Sequence, residues 1–212
     1  ALSVRVEENA RPGFVLETPD FRGRVQLRLS GEHQVSNALA AAAAAAALGR
    51  STTKTVSALE EGEAESAHRM RVVTGVSLPG VDGSVTVIDD SYNANPDSMQ
   101  AAFRAAQTVA QGAPVVMVLG EMLELGEDSA ALHRDVGAGA AQVSPRAVIA
   151  LGPVAAPILE AQGPDCAASL AHTTDEALTA LQAAVRPGDV VLLKGSYGSG
   201  VWRLADALLG TA

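Results

Sequence analysis

The chain has 212 residues, 48% of them hydrophobic, and a net charge of −9 from 24 acidic against 15 basic side chains, which suits one or two domains with a filled core and excludes disorder. The acidic balance argues against a duplex nucleic-acid binder, which needs clustered cations, but leaves room for a small anionic ligand at a local site. The lone Cys166 excludes an internal disulfide or thiolate cluster and reads as a bystander, and with no bilayer-length apolar run or signal-peptide pattern a reduced, cytoplasmic setting is expected.

Residues 1 to about 30 read as β. Val25, Leu27 and Leu29 alternate with Gln26 and Arg28, and Pro12-Gly13 reads as a turn ahead of Phe14 to Leu16. A helix is predicted from about Ser36 to Leu48. Its alanines at 40 to 47 favour helix and close backbone approach, and Gly49 supplies a stop. A second helix runs near Thr53 to Glu60, with Val56 and Leu59 on one side. Residues 61 to 66 are polar and non-periodic, the pattern of a linker.

Beyond Arg71 four short apolar runs appear, Val85–Ile88, Val115–Leu119, Ala147–Leu151 and Val190–Leu193, with a weaker fifth around Leu170. None alternates clearly, as expected of strands covered on both faces. Amphipathic helices separate them: Met99, Ala102, Phe103, Ala106 and Val109 keep helical spacing, as do Leu132, Val136, Ala140 and Val143, and Leu178, Leu181 and Val185. The alternation predicts a doubly wound, mostly parallel α/β sheet of Rossmann-like type over residues 67–212. Residues 1–66 form an incomplete β-plus-helix segment, too small to close a core alone. The expectation is a piece of something longer.

Ligands of such sheets bind beyond the carboxyl ends of the strands, which singles out four loops. The first, Asp89 to Met99, places two carboxylates, Tyr92 and Asn93 at a strand end. Asn95-Pro96 then reads as a helix N-cap and first helical residue. A helix start offers free N–H groups to an anion, and the side chains suit amide or carboxylate groups. The second loop, Gly120 to Glu127, reads as a glycine turn with an apolar plug and solvated acids, and His133 after it as a partly buried, satisfied ring. The third, Leu151-Gly152-Pro153, has no polar cluster. The fourth, Lys194 to Gly200, offers a cation and glycines that would let a backbone approach a ligand. Its GxxGxG pattern at the last strand is not a dinucleotide fingerprint. No GxxxxGK[ST] phosphate loop and no metal-ligand spacing of His or Cys is present.

The order GEHQVSNALA (31–40), His68-Arg69-Met70, IDDSYNANPDSM (88–99), VLGEMLELGE (118–127) with His133, and LLKGS (192–196) resembles the Mur ligases over nearly the whole chain. The strings DDSYNANPDSM and LGEMLELGE point to the branch that joins D-alanyl-D-alanine to UDP-N-acetylmuramoyl-tripeptide. The resemblance implies the end of a central ATP-binding domain (1–66) and a C-terminal ligase domain (67–212). It implies ATP and Mg2+, with the phosphate loop, the magnesium ligands and the catalytic groups on an upstream part. It further implies ATP-dependent amide formation through an acyl phosphate in peptidoglycan precursor synthesis, a monomer, and no activity for this piece alone. Asn37, Arg69 and Asp90 would contact ATP at the adenine, the phosphates and the ribose. Tyr92, Asn93, Asn95, Lys194 and Ser196 would face the amino-acid substrates. The chain has His33-Gln34 where the family usually has His-Asn, and Tyr197 where Arg often follows KGS. Arg71 competes with Arg69 for its role. The alternative is a stand-alone α/β module that binds a nucleotide or amino acid.

Overall fold

The computed structural model describes residues 2–6, 10–62 and 68–210. The chain divides into two compact units, Ala1–Ser66 and Ala67–Ala212. Residues 63–66 of the expected linker lie outside the described residues.

The first unit is an antiparallel sheet, β1 (Leu2–Val6), β2 (Pro12–Thr18) and β3 (Phe21–Gln26), with helices α1 (Gln34–Ala47) and α2 (Thr52–Glu61). Phe14, Leu16, Val25 and Leu27 from the strands meet Val35, Ala38 and Val56 from the helices in one small core. The expected turn at Pro12-Gly13 is not there. Pro12 opens β2, where its missing N–H costs the ladder nothing, and its carbonyl accepts from Leu27 N–H at 3.0 Å. The hairpin turns instead at Pro19-Asp20, between the paired residues Thr18 and Phe21. Leu29 likewise leaves the strand pattern, because β3 ends at Gln26. The alanine helix α1 buries only Val35 and Ala38, and Leu48 after it is 78% exposed.

The second unit is a six-stranded sheet in the order β4-β5-β9-β6-β7-β8, from β4 (Arg71–Ser77), β5 (Ser84–Asp90), β6 (Val115–Gly120), β7 (Ala147–Leu151), β8 (Ala167–Ala171) and β9 (Val190–Lys194). All neighbours pair in parallel except β4, which runs antiparallel to β5 at the edge. The five apolar runs became β5 to β9. Strand β4 escaped the pattern because its RVVTGVS sequence neither alternates cleanly nor runs apolar. Gly75, at φ +73°, breaks its register between Val73 and Val76.

Among its described residues four α-helices join the sheet: α3 (Pro96–Ala110), α4 (Ser129–Ala141), α5 (Thr174–Ala184) and α6 (Val201–Leu209). Strands β6 and β9 are buried along their whole length, which explains the apolar runs Val115–Leu119 and Val190–Leu193 within them. Residues Ala177, Leu181, Val201 and Leu204 of α5 and α6 pack on the face formed by Val87, Val116, Val118, Val191 and Leu193. On the opposite face α3 lies on β6 and β9 and beside α4. Gly137 of α4 lets a 3-10 segment (Pro153–Ala161) pass so close that an added Cβ would overlap the Ile158 carbonyl oxygen. Among the described residues no helix is long and apolar enough to cross a membrane.

Candidate functional site at the carboxyl edge

Strands β5 and β9 end side by side, with Asp90 paired to Lys194 in the parallel register. Lys194 is 1% exposed, and its Nζ donates to Asp90 Oδ2 at 2.6 Å and to the Asn93 carbonyl at 2.9 Å. The other oxygen of Asp90 accepts the Met70 N–H at 3.1 Å. A buried ammonium is tolerated only with such partners. The pair therefore fixes the start of the 89–99 loop, and the Asp90 side chain keeps 17% exposure.

Asp89 points the other way and is 2% exposed. Its Oδ1 accepts from both the N–H and the hydroxyl of Ser91, at 3.2 and 2.6 Å, and its Oδ2 faces His68 Nδ1 at 2.8 Å. Tyr92, Asn93 and Asn95 are exposed on the loop. The Asn93 side-chain oxygen accepts the N–H of the next residue, Ala94, at 2.8 Å. Asn95 caps α3 in a reciprocal box: Ser98 N–H donates to its Oδ1 at 2.8 Å, and its own N–H donates to Ser98 Oγ at 3.0 Å. Pro96 occupies the first helical position.

The fourth loop braces the first. Ser196 is 4% exposed; its Oγ accepts the Leu123 N–H at 3.0 Å and lies 3.5 Å from the Ala94 carbonyl. Its glycines serve protein contacts rather than an open cradle: a Cβ on Gly195 would meet Gly120 Cα at 3.0 Å and overlap Ser199 Oγ. In the second loop, Glu121 Oε1 accepts the Val154 N–H at 3.0 Å and so ties that loop to the third. His133 is 0% exposed rather than partly buried. Its Nε2 accepts the Met122 N–H at 3.0 Å while Nδ1 faces the Ser129 carbonyl at 2.7 Å, so the ring carries its hydrogen on Nδ1. Glu121 and this histidine hold loops in place.

The sequence reading overlooked a run of rings beside these loops. Arg69 lies with its guanidinium 4.1 Å from the Tyr92 ring centre. Tyr92 tilts against Tyr197 at 6.1 Å, Tyr197 stacks on Trp202 at 5.1 Å and 6°, and Trp202 tilts against His68 at 6.1 Å. The signal was present: of the chain's six Phe, Tyr and Trp residues, three sit in the two loops at this edge or just after them. Arg71 lies on β4 opposite Asp89, whereas Arg69 reaches over the loop.

In the first unit Asn37 lies exposed on α1, where its side-chain N–H donates to Gln34 Oε1 at 2.9 Å. The unusual glutamine at 34 thus holds Asn37. Among the described residues no group of three or more His, Cys, Asp or Glu could hold a metal ion.

Fold and edge loops define a doubly wound α/β domain with a braced polar site at the carboxyl ends of β5 and β9. The family profile described as Mur ligase, glutamate ligase domain matches residues 68–197. A UDP-N-acetylmuramoyl-tripeptide–D-alanyl-D-alanine ligase from Mycobacterium tuberculosis is 40% identical over 97% of this chain and 43% of its own. A crystal structure of MurF from Acinetobacter baumannii superimposes with a TM-score of 0.80 at 31% identity, covering 98% of this chain and 44% of that one. A second structure from that organism, of a UDP-N-acetylmuramoylalanyl-D-glutamyl-2,6-diaminopimelate–D-alanyl-D-alanyl ligase, gives 0.76 at 32% identity over 98% and 43%. The chain belongs to the Mur ligase family. It spans 43% of the length of the curated relative.

Proposed function

We propose that this chain is the C-terminal part of a cytoplasmic, monomeric ligase that joins D-alanyl-D-alanine to UDP-N-acetylmuramoyl-tripeptide at the expense of ATP. The observation that carries this reading is the 40% identity, across 97% of the chain, to a ligase named for those two substrates. In this reading residues 1–66 close the ATP-binding domain and 67–212 form the domain that presents the incoming dipeptide.

The reaction is amide formation in two displacements. A tripeptide carboxylate oxygen attacks the γ-phosphorus of ATP, ADP departs, and an acyl phosphate forms. The free amine of the dipeptide then attacks the acyl carbon, loses a proton, and expels phosphate. Catalysis of this kind rests on positioning and on cations that face developing charge. Arg69 supplies such a cation for the nucleotide phosphates. Asp90 accepts from the ribose, and Asn37 meets the adenine. Tyr92, Asn93 and Asn95, exposed on the braced loop, meet the amino-acid substrates, while Lys194 and Ser196 serve them from inside the frame.

A nucleotide titration of this chain tests the reading. The ligase account expects no tight ATP binding and no ATP hydrolysis, because no phosphate loop is present. Tight binding by the chain alone would favour a self-sufficient nucleotide-binding module.

A further inference from the structure

Residues 68–70 lie beyond the end of β5 in an unusual backbone. His68 has φ +64° and Met70 φ +49°, a region that side chains other than glycine occupy at a cost unless their surroundings hold them there. Three bonds do so. The Tyr92 N–H donates to the His68 carbonyl at 3.0 Å, the Met70 N–H donates to Asp90, and His68 Nδ1 donates to Asp89 Oδ2 at 2.8 Å. On its far side His68 Nε2 stands 3.7 Å from Asp206 Oδ1 of α6, and the ring is 11% exposed between the two carboxylates. Asp89 in turn is fixed by Ser91.

Arg69 is the one residue of the three that reaches outward, and its backbone is set from both sides by these bonds. The contacts also close a circuit. His68 meets Trp202, Trp202 stacks on Tyr197, Tyr197 meets Tyr92, and Tyr92 lies under the Arg69 guanidinium next in the chain to His68. A long, rotamer-rich arginine is thereby held over one ring before any ligand arrives, which lowers the ordering cost of binding.

We infer that His68, clamped between Asp89 and Asp206, is a positioning residue for Arg69. It sets the guanidinium over Tyr92 and touches no substrate itself. The inference rests on the proposal that Arg69 meets the nucleotide phosphates.

The test is steady-state kinetics of the full-length ligase and its variants. Glycine relieves the positive φ but removes the clamp, whereas asparagine tolerates that φ and keeps a side-chain N–H for Asp89. His68→Gly should raise the apparent KM for ATP about tenfold, with kcat changed far less. His68→Asn should recover most of that loss. In an Arg69→Ala background His68→Gly should add nothing, because residues that act through one another are not additive. Should His68→Gly fail to fold, Asp206→Ala carries the same test from the outer end of the clamp. Multiplying effects in the double variant, an unchanged ATP KM in His68→Gly, or failure of asparagine to rescue would overturn the inference. If Arg69→Ala itself leaves the ATP KM unchanged, the nucleotide role of Arg69 falls, and this inference with it.

Discussion

Lys194 Nζ stands 2.6 Å from Asp90 Oδ2, a bond between two adjacent parallel strands at the edge where the site lies. The lysine is almost fully buried, so the bond sets the loop's geometry more than it offers a cation to solvent. Removing one partner leaves the other charge buried without compensation. Lys194→Met is expected to cost about 3–5 kcal/mol of stability by urea unfolding. Lys194→Met combined with Asp90→Asn should cost less than the two single changes added together. A loss below about 1 kcal/mol for the single variant would show that solvent reaches Asp90 and replaces the lysine.

This pair also marks how far the sequence could be read. The parallel sheet was legible because β6, β7 and β9 carry apolar runs without alternation, the mark of strands covered on both faces. The Asn95-Pro96 helix start was legible from local chemistry alone. Strand β4 was not, since its edge position leaves it half exposed and its glycine breaks the alternation. Lys194 and Asp90 were each visible, but their union was not. Their separation of more than a hundred residues is closed only by the strand order β5-β9, which no local pattern encodes. The same holds for His68, whose partners Asp89 and Asp206 come from a strand and a distant helix.

Asn95 has two roles that one substitution can separate. Aspartate caps as well as asparagine and favours a helix N-terminus, so Asn95→Asp should leave the melting temperature unchanged or slightly higher. If the amide also meets the dipeptide, the apparent KM for D-alanyl-D-alanine should rise in the full-length ligase. Asn95→Ala should lose about 1 kcal/mol of stability as well. Unchanged KM in both variants would leave Asn95 as a cap only.

At Gly137 two principles oppose each other. Alanine is a better helix former than glycine by about 1 kcal/mol. Its Cβ would overlap the backbone oxygen of Ile158, which no rotamer can relieve. Gly137→Ala is therefore expected to destabilise by about 1–3 kcal/mol in denaturant unfolding, the range for an overfilled interior. A stabilised variant would mean that the 153–161 segment moves away at little cost.

Burial pushes the Cys166 thiol above its ordinary range. The thiolate is the reactive form, so alkylation near pH 8 should be slower in the folded chain than in the unfolded one. The sign for stability follows. The folded state prefers the protonated thiol, so this contribution is present below the unfolded pKa and is lost as pH rises through the folded value. Equal alkylation rates in folded and denatured protein would contradict the shift.

The central claim is tested most directly by phosphate release from ATP in the full-length ligase, measured with and without each proposed substrate. The account predicts release that requires both UDP-N-acetylmuramoyl-tripeptide and D-alanyl-D-alanine and forms one amide per phosphate. Sustained product formation with a single amino acid in place of the dipeptide, and none with D-alanyl-D-alanine, would contradict it.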